Sequence, residues 1–166
     1  MVTLKDALVF RSQFELLTKK KICVLITGGG FDLVNYFQGC GASSILENIS
    51  VIYGQNSLEE FTTHSSIKYP AVSKGQAELL LDSYKRFHSY NDVIYVICTA
   101  ALTSDRWRRG ANHACILVDD KFFEIQIPKL TEEEYKNLSK LEIQKLRIKE
   151  DEDLSRTISE IILSNV

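Results

Sequence analysis

The sequence predicts an α/β fold: three layers, α/β/α, around one mixed, mostly parallel sheet. Short β-prone runs alternate with helical segments, which argues for helices layered on a sheet. The runs Ile22–Ile26, Val93–Cys98 and Ala114–Val118 are apolar at nearly every residue. That pattern suits strands covered on both faces. A turn signal at Asp119-Asp120-Lys121 then joins two of the strands as a hairpin, which makes the sheet mixed.

Each element follows from local chemistry. Residues 3–18 place Leu4, Ala7, Leu8, Phe14 and Leu17 at helical rather than alternating spacing. Lys19, Lys20 and Lys21 follow, where a helix C-terminus favours cations. The strand Ile22–Ile26 stops at Thr27-Gly28-Gly29-Gly30, and Phe31–Phe37 reads as a short helix. Asn48–Tyr53 is a second strand. Ser57-Leu58-Glu59-Glu60 and Ser73-Lys74-Gly75-Gln76 both have capping-box spacing and should open helices. Ala77, Leu80, Leu81 and Tyr84 form the apolar stripe of the second helix. Phe122–Ile127 is the fifth strand. From Asp151 a helix carries Leu154, Ile158, Ile161 and Ile162 on one face, with Asp151, Glu152 and Asp153 expected at its N-terminus. The charged stretch 131–150 is helix or loop. Neither a repeat nor a linker interrupts the chain. Residues 1–166 read as one domain: an N-terminal helix (1–20), an α/β core (21–127) and a C-terminal helical segment (128–166).

Composition narrows the function. The 166 residues are 45% hydrophobic and 25% charged, as expected of a globular domain. Twenty basic and twenty-two acidic residues give a formal net charge of −2, which disfavours a broad nucleic-acid or membrane surface. No apolar run approaches the ~20 residues of a membrane span, and the N-terminus has no signal-peptide pattern. Cys23, Cys40, Cys98 and Cys115 form no C-x-x-C pair and read as reduced thiols of a cytoplasmic protein. His64, His88 and His113 have no ligand spacing with them, so no metal site is expected. His64 and His88 read as surface residues.

Ligands of open α/β sheets gather at the carboxyl ends of strands. Three segments are expected there. Thr27, Gly28, Gly29 and Gly30 lead into a helix N-terminus, whose N–H groups suit phosphate or carboxylate. The same residues also suit a tight strand-to-helix turn. Gly41, Ala42, Ser43 and Ser44 combine small residues with two hydroxyls, either for an anion or for a helix cap. The run from Cys98 to His113 holds Asp105, Arg106, Trp107, Arg108, Arg109 and Gly110. Its arginines suit a phosphate fork, and Trp107 suits ring stacking or an interface. The alternative for this loop is a solvated surface. His113 suits a general base or a structural hydrogen bond at a strand start.

These segments, in this order, resemble the CinA C-terminal domain family, which includes the nicotinamide mononucleotide deamidases. The resemblance rests on GGG at 28–30, GASSILE at 41–47, Tyr53, AVSKGQAELL at 71–80, TAALTSDRWRRG at 99–110, Asn112-His113 and the charged run at 148–163. It covers roughly residues 5–127 and the last helix. It implies a three-layer α/β domain, often a homo-oligomer, with a pocket for a nicotinamide nucleotide and no cofactor. The implied ligand-binding residues are Thr27, Gly28, Gly29, Gly30, Gly41, Ala42, Ser43, Ser44, Tyr53, Thr99, Ala100, Ala101, Asp105, Arg106, Arg108, Arg109, Gly110 and His113.

The family reaction hydrolyses the nicotinamide amide with a serine nucleophile and a lysine base. Active members read E-S-C-T-G-G where this chain has Val24-Leu25-Ile26-Thr27-Gly28-Gly29, so the serine position holds Leu25. The lysine of a Y-S-N-x-x-K pattern, counted from Tyr53, falls on Leu58. Leucine neither attacks a carbonyl nor moves a proton. The family's G-I-A-G-P loop becomes Thr99-Ala100-Ala101-Leu102-Thr103. Ser43, Ser44 and Tyr53 remain as weak catalytic candidates, with Lys74 or His113 as partner. The expectation is a nicotinamide-nucleotide-binding domain with weak or lost amidohydrolase activity. The alternatives are an active amidohydrolase with a rearranged site, or a non-catalytic oligomerisation or protein-interaction subunit.

Overall fold

A computed structural model describes residues 1–63 and 68–166. His64 lies outside the described residues. The elements are α1 (Leu4–Leu17), β1 (Lys21–Thr27), 3-10 segments η1 (Phe31–Phe37) and η2 (Ala42–Ser44), β2 (Leu46–Val51), α2 (Gln55–Phe61), α3 (Lys74–Phe87), β3 (Val93–Ala101), β4 (Asn112–Val118), β5 (Lys121–Ile127), α4 (Glu132–Lys136) and α5 (Lys140–Ser164).

The five strands form one sheet in the order β2-β1-β3-β4-β5. β1 is parallel to both β2 and β3. β4 is antiparallel to β3 and to β5. Four of the five strands therefore point the same way, in the mixed sheet that the hairpin at residue 120 predicts. Asp119 turns that hairpin in the left-handed region (φ 53°), and its side chain accepts from the Tyr95 N–H at 2.9 Å.

Alternation along the central strands builds two apolar layers. Ile22, Val24 and Ile26 of β1 face Phe10 and Phe14 of α1, Leu33 of η1, and Leu154, Ile158 and Ile162 of α5. Cys23 and Leu25 face Ala77, Leu80, Leu81 and Tyr84 of α3, with Leu58 and Phe61 of α2 packed against them. Both faces of the central strands are thus dry, which explains why they read as continuous apolar runs.

Four local expectations need correction. The buried stripe of α1 is Ala7, Phe10 and Phe14, and Leu4, Leu8 and Leu17 are exposed. α2 starts at Gln55 after an extended Gly54, so Ser57 lies inside the helix and caps nothing. β2 begins and ends two residues before the predicted strand. α5 begins at Lys140, with Ser139 and Glu142 closing a capping box, so Asp151, Glu152 and Asp153 sit in mid-helix. For α5 the boundary at Lys140 follows the capping box of Ser139 and Glu142, eleven residues upstream of the acidic run that starts at Asp151. Ser73 does cap α3, accepting from the Gln76 N–H at 3.1 Å.

Candidate functional site

The chain leaves β1 outward to β2 and returns across it to β3. The topological switch point therefore lies between the carboxyl ends of β1 and β3, where Thr27 pairs with Thr99. Gly28 sits there at φ +82°, and a Cβ on it would lie 2.1 Å from the Ala100 carbonyl oxygen. A Cβ on Gly29 would come within 2.8 Å of the Leu102 side chain. These glycines let the end of β1 close against the end of β3.

The mid-helix polar residues of α5 then satisfy the loops at both strand ends. The Asp151 carboxylate accepts from the backbone N–H groups of Gly30 at 3.0 Å, Phe31 at 3.2 Å and Asp32 at 2.9 Å. Its negative charge sits where the η1 N–H groups converge, which is favourable for the reason that favours any anion there. Glu150 is buried and accepts from the Thr103 N–H at 2.8 Å and from its hydroxyl at 2.7 Å. Arg147 donates to the Thr103 carbonyl at 2.9 Å and to the Gly28 carbonyl at 2.7 Å.

Two hollows flank this junction. A crevice of about 580 Å³ lies over the strand ends, with Gly28, Tyr53, Ala101, Ser104, Arg106 and Arg147 in its wall. A cleft of about 980 Å³ lies between α5 and η1, with Phe31, Tyr53, Asp105, Lys140, Gln144 and Arg147 in its wall. Tyr53 is 58% exposed, and its ring packs at a tilt against Phe31 with centroids 5.8 Å apart.

The expected site residues divide into groups. Gly28, Tyr53, Ala100, Ala101, Asp105, Arg106 and Arg108 all line the crevice. Thr27 and Thr99 are buried beneath it, and the Thr99 hydroxyl donates to the Ala71 carbonyl at 2.6 Å. The Gly30 N–H is already used by Asp151, and the Gly29 carbonyl lies 3.5 Å from Cys98 Sγ. Arg108 turns inward, donating to the Leu102 carbonyl at 2.7 Å and to Asn112 Oδ1 at 3.1 Å. Arg109 and Gly110 are exposed, and the Gly110 carbonyl accepts from Lys129 at 2.7 Å. His113 Nε2 lies 3.1 Å from the Val72 carbonyl, so that nitrogen carries the proton in a structural hydrogen bond. Trp107 donates its Nε1–H to the Leu130 carbonyl at 3.0 Å, and Lys129 covers its ring at 4.3 Å. That indole fastens the loop rather than offering an open face. His88 is half-buried at the end of α3, edge-on to Tyr84, rather than a free surface residue.

Gly41, Ala42, Ser43 and Ser44 stand apart. They precede β2, and the Ile22 N–H donates to the Ile45 carbonyl, which fixes them at the amino ends of the strands. The seven residues of β1, at about 3.3 Å each, put Ser43 and Ser44 roughly 20 Å from the glycine loop. This corrects their expected place at a carboxyl end. Sequence order misled here, because β2 runs parallel to β1 and the chain must return to the amino ends of the strands before it starts. Ser44 donates to Glu15 at 2.7 Å, while Lys74 pairs with Glu78 at 3.9 Å. The structure forms no hydroxyl–base pair from these residues.

Leu25 is fully buried in the layer facing α3, and Leu58 packs against the same cluster. The two positions that the resemblance aligns with a nucleophile and a base are therefore hydrocarbon in contact with a dry core. Cys98 is buried too, and loss of hydration pushes its thiol far above the ordinary range. Among the described residues, no group of three His, Cys, Asp or Glu side chains is placed to hold a metal ion. No helix of the described residues is long and apolar enough to cross a membrane. Sequence reasoning missed Arg147, Phe31 and Ser104. Phe31 adjoins the GGG motif and Ser104 lies within the run at 99–110, but Arg147 lies in a charged stretch without any periodic signal.

No protein-family model matches the sequence, and no curated protein matches it significantly. Solved structures do match the fold over nearly the whole chain. The competence or damage-inducible protein of Enterobacter asburiae superposes with a TM-score of 0.65 at 8% identity, covering 98% of each chain. A competence-damaged protein (CinA) superfamily protein of Escherichia coli gives 0.60 at 10% identity, over 95% of this chain and 90% of the other. The competence damage-inducible protein A of Klebsiella pneumoniae gives 0.61 at 8% identity, over 92% and 91%. With its five-stranded mixed sheet and helices on both faces, the chain has the fold of the CinA superfamily structures.

Proposed function

We propose that this chain is a binding domain for a nicotinamide nucleotide of the mononucleotide type, built on an amidohydrolase site that has lost its chemistry. One observation carries the reading. A crevice lined by an exposed tyrosine and by Arg106, Arg108 and Arg147 opens at the switch point, while the serine and lysine positions of the resembled family fall on the buried Leu25 and on Leu58, which packs against the same apolar cluster. Tyr53 offers a ring face for the pyridine. Arg106 is exposed at the crevice wall and is suited to a phosphate fork. The phosphate belongs at the arginines rather than at Gly30, whose N–H already has a carboxylate acceptor. Without a nucleophile or a base, the bound amide stays intact. Four unpaired cysteines support a cytoplasmic setting for this role.

Proton NMR of nicotinamide mononucleotide mixed with the purified protein tests the reading. Broadened pyridine signals without new resonances are expected, and Arg106→Glu should weaken the broadening. Appearance of the acid product would overturn the loss of catalysis. Sharp, unchanged signals would overturn the binding site.

A further inference from the structure

The crevice does not end at Tyr53. Tyr53, Ser104, Asp105 and Arg147 line both the crevice and the larger cleft between α5 and η1. The two hollows therefore share one wall, and each separately lies within the size range of small-molecule sites.

The chemistry of the shared wall is unusual. Arg147 is half-buried, and two backbone carbonyls fix its guanidinium. Among the described residues no carboxylate lies within ion-pair distance of it. A held but uncompensated guanidinium is a preorganised receptor for an anion, because little further rotamer entropy is lost on binding. Three of the acids around the cleft are already engaged. Asp151 holds the η1 N–H groups, Glu152 pairs with the N-terminal amine at 2.8 Å, and Asp32 accepts from Val2 and Asn35. The Asp105 carboxylate is exposed and remains open to a hydroxyl donor. Beyond it, Phe31 and Tyr53 present an exposed aromatic pair, which in a cleft is a stacking platform for a ring.

We propose that crevice and cleft together take a dinucleotide, two nucleosides joined by a pyrophosphate. The proposal rests on the nucleotide reading above and extends it. The pyrophosphate lies against Arg147, one ring occupies the crevice, and the second stacks on Phe31 beyond Tyr53. Asp105 accepts from a ribose hydroxyl. A mononucleotide fills one compartment and leaves the Phe31 platform empty.

Calorimetric titration of the full chain with nicotinamide adenine dinucleotide, nicotinamide mononucleotide and adenosine monophosphate separates the outcomes. The dinucleotide should bind at least about tenfold tighter than either half, with one ligand per chain. Phe31→Ala should bring the dinucleotide down to the affinity of the mononucleotide. Lys140→Glu, at an exposed position in the first turn of α5 where an acid is tolerated, should weaken the dinucleotide by charge alone. Far-ultraviolet circular dichroism confirms that each variant is folded. If nicotinamide mononucleotide binds and the dinucleotide binds no tighter, the extended site is wrong and the mononucleotide reading stands. If neither binds, both fall. A dinucleotide advantage that persists in Phe31→Ala also overturns the placement of the second ring.

Discussion

Asp151 Oδ2 accepts the backbone N–H of Gly30 at 3.0 Å, across 121 residues of sequence. The glycine loop reads as a cradle for a ligand's anion, and the protein supplies that anion itself. Neighbouring N–H groups of Phe31 and Asp32 complete the contact, so a single carboxylate ties α5 to the end of β1. The loop's shape is then independent of ligand, and any incoming phosphate must look to the arginines.

Removing that carboxylate should loosen the junction. Asp151→Ala leaves three N–H groups without their acceptor and is expected to cost about 2–4 kcal/mol. Asp151→Asn keeps an acceptor oxygen but loses the charge and should cost less. Urea unfolding of both variants checks the order, and an unchanged midpoint for Asp151→Ala would refute the role assigned to this contact.

Gly28 tests the close approach of β1 to β3. Alanine there must adopt φ near +82° and place its Cβ 2.1 Å from a backbone oxygen. The expected loss is at least about 3 kcal/mol, since backbone rather than a flexible side chain must give way. A thermal melt of Gly28→Ala close to the parent's would contradict this geometry.

A serine placed at 25, where the resemblance expects a nucleophile, should not create amidase activity. Leu25→Ser removes buried methyl groups and places a hydroxyl in an apolar layer, for an expected cost of about 3–4 kcal/mol. Ammonia release from nicotinamide mononucleotide should stay at background. Turnover in Leu25→Ser alone would mean that a base other than Leu58's position serves the site.

The cysteines should respond to alkylation by exposure. Cys40 is exposed, whereas Cys23, Cys98 and Cys115 are buried. Iodoacetamide at neutral pH should add one group per folded chain, at Cys40, as read by mass spectrometry of the digested protein. Labelling of a second thiol in the folded state would refute the packing.

Burial also makes the thiols pH-sensitive. It pushes Cys23 and Cys115 from 9.0 up to about 11. The folded chain keeps these protons where the unfolded chain releases them. Their contribution to stability is full below about pH 9 and falls as pH rises toward 11. Melting temperatures across that window should decline, and Cys23→Ala should flatten part of the slope.

Local chemistry by itself determined several of the elements, though not where each begins. Apolar runs gave the central strands, the Ser73 cap gave the start of α3, and a paired-aspartate turn gave the hairpin, because period and capping are properties of neighbouring residues. That leucines stand at 25 and 58, where the resemblance expects a serine and a lysine, was equally legible, since a side chain's chemistry is fixed by its identity. The tertiary structure alone decided how these parts meet. It sent Ser43 and Ser44 to the far end of the sheet, placed Asp151 in the glycine loop and put Arg147 between two hollows. Arg147 and Asp151 act on partners 119 to 121 residues away. Such contacts follow from strand order and helix packing, and no spacing along the chain encodes them.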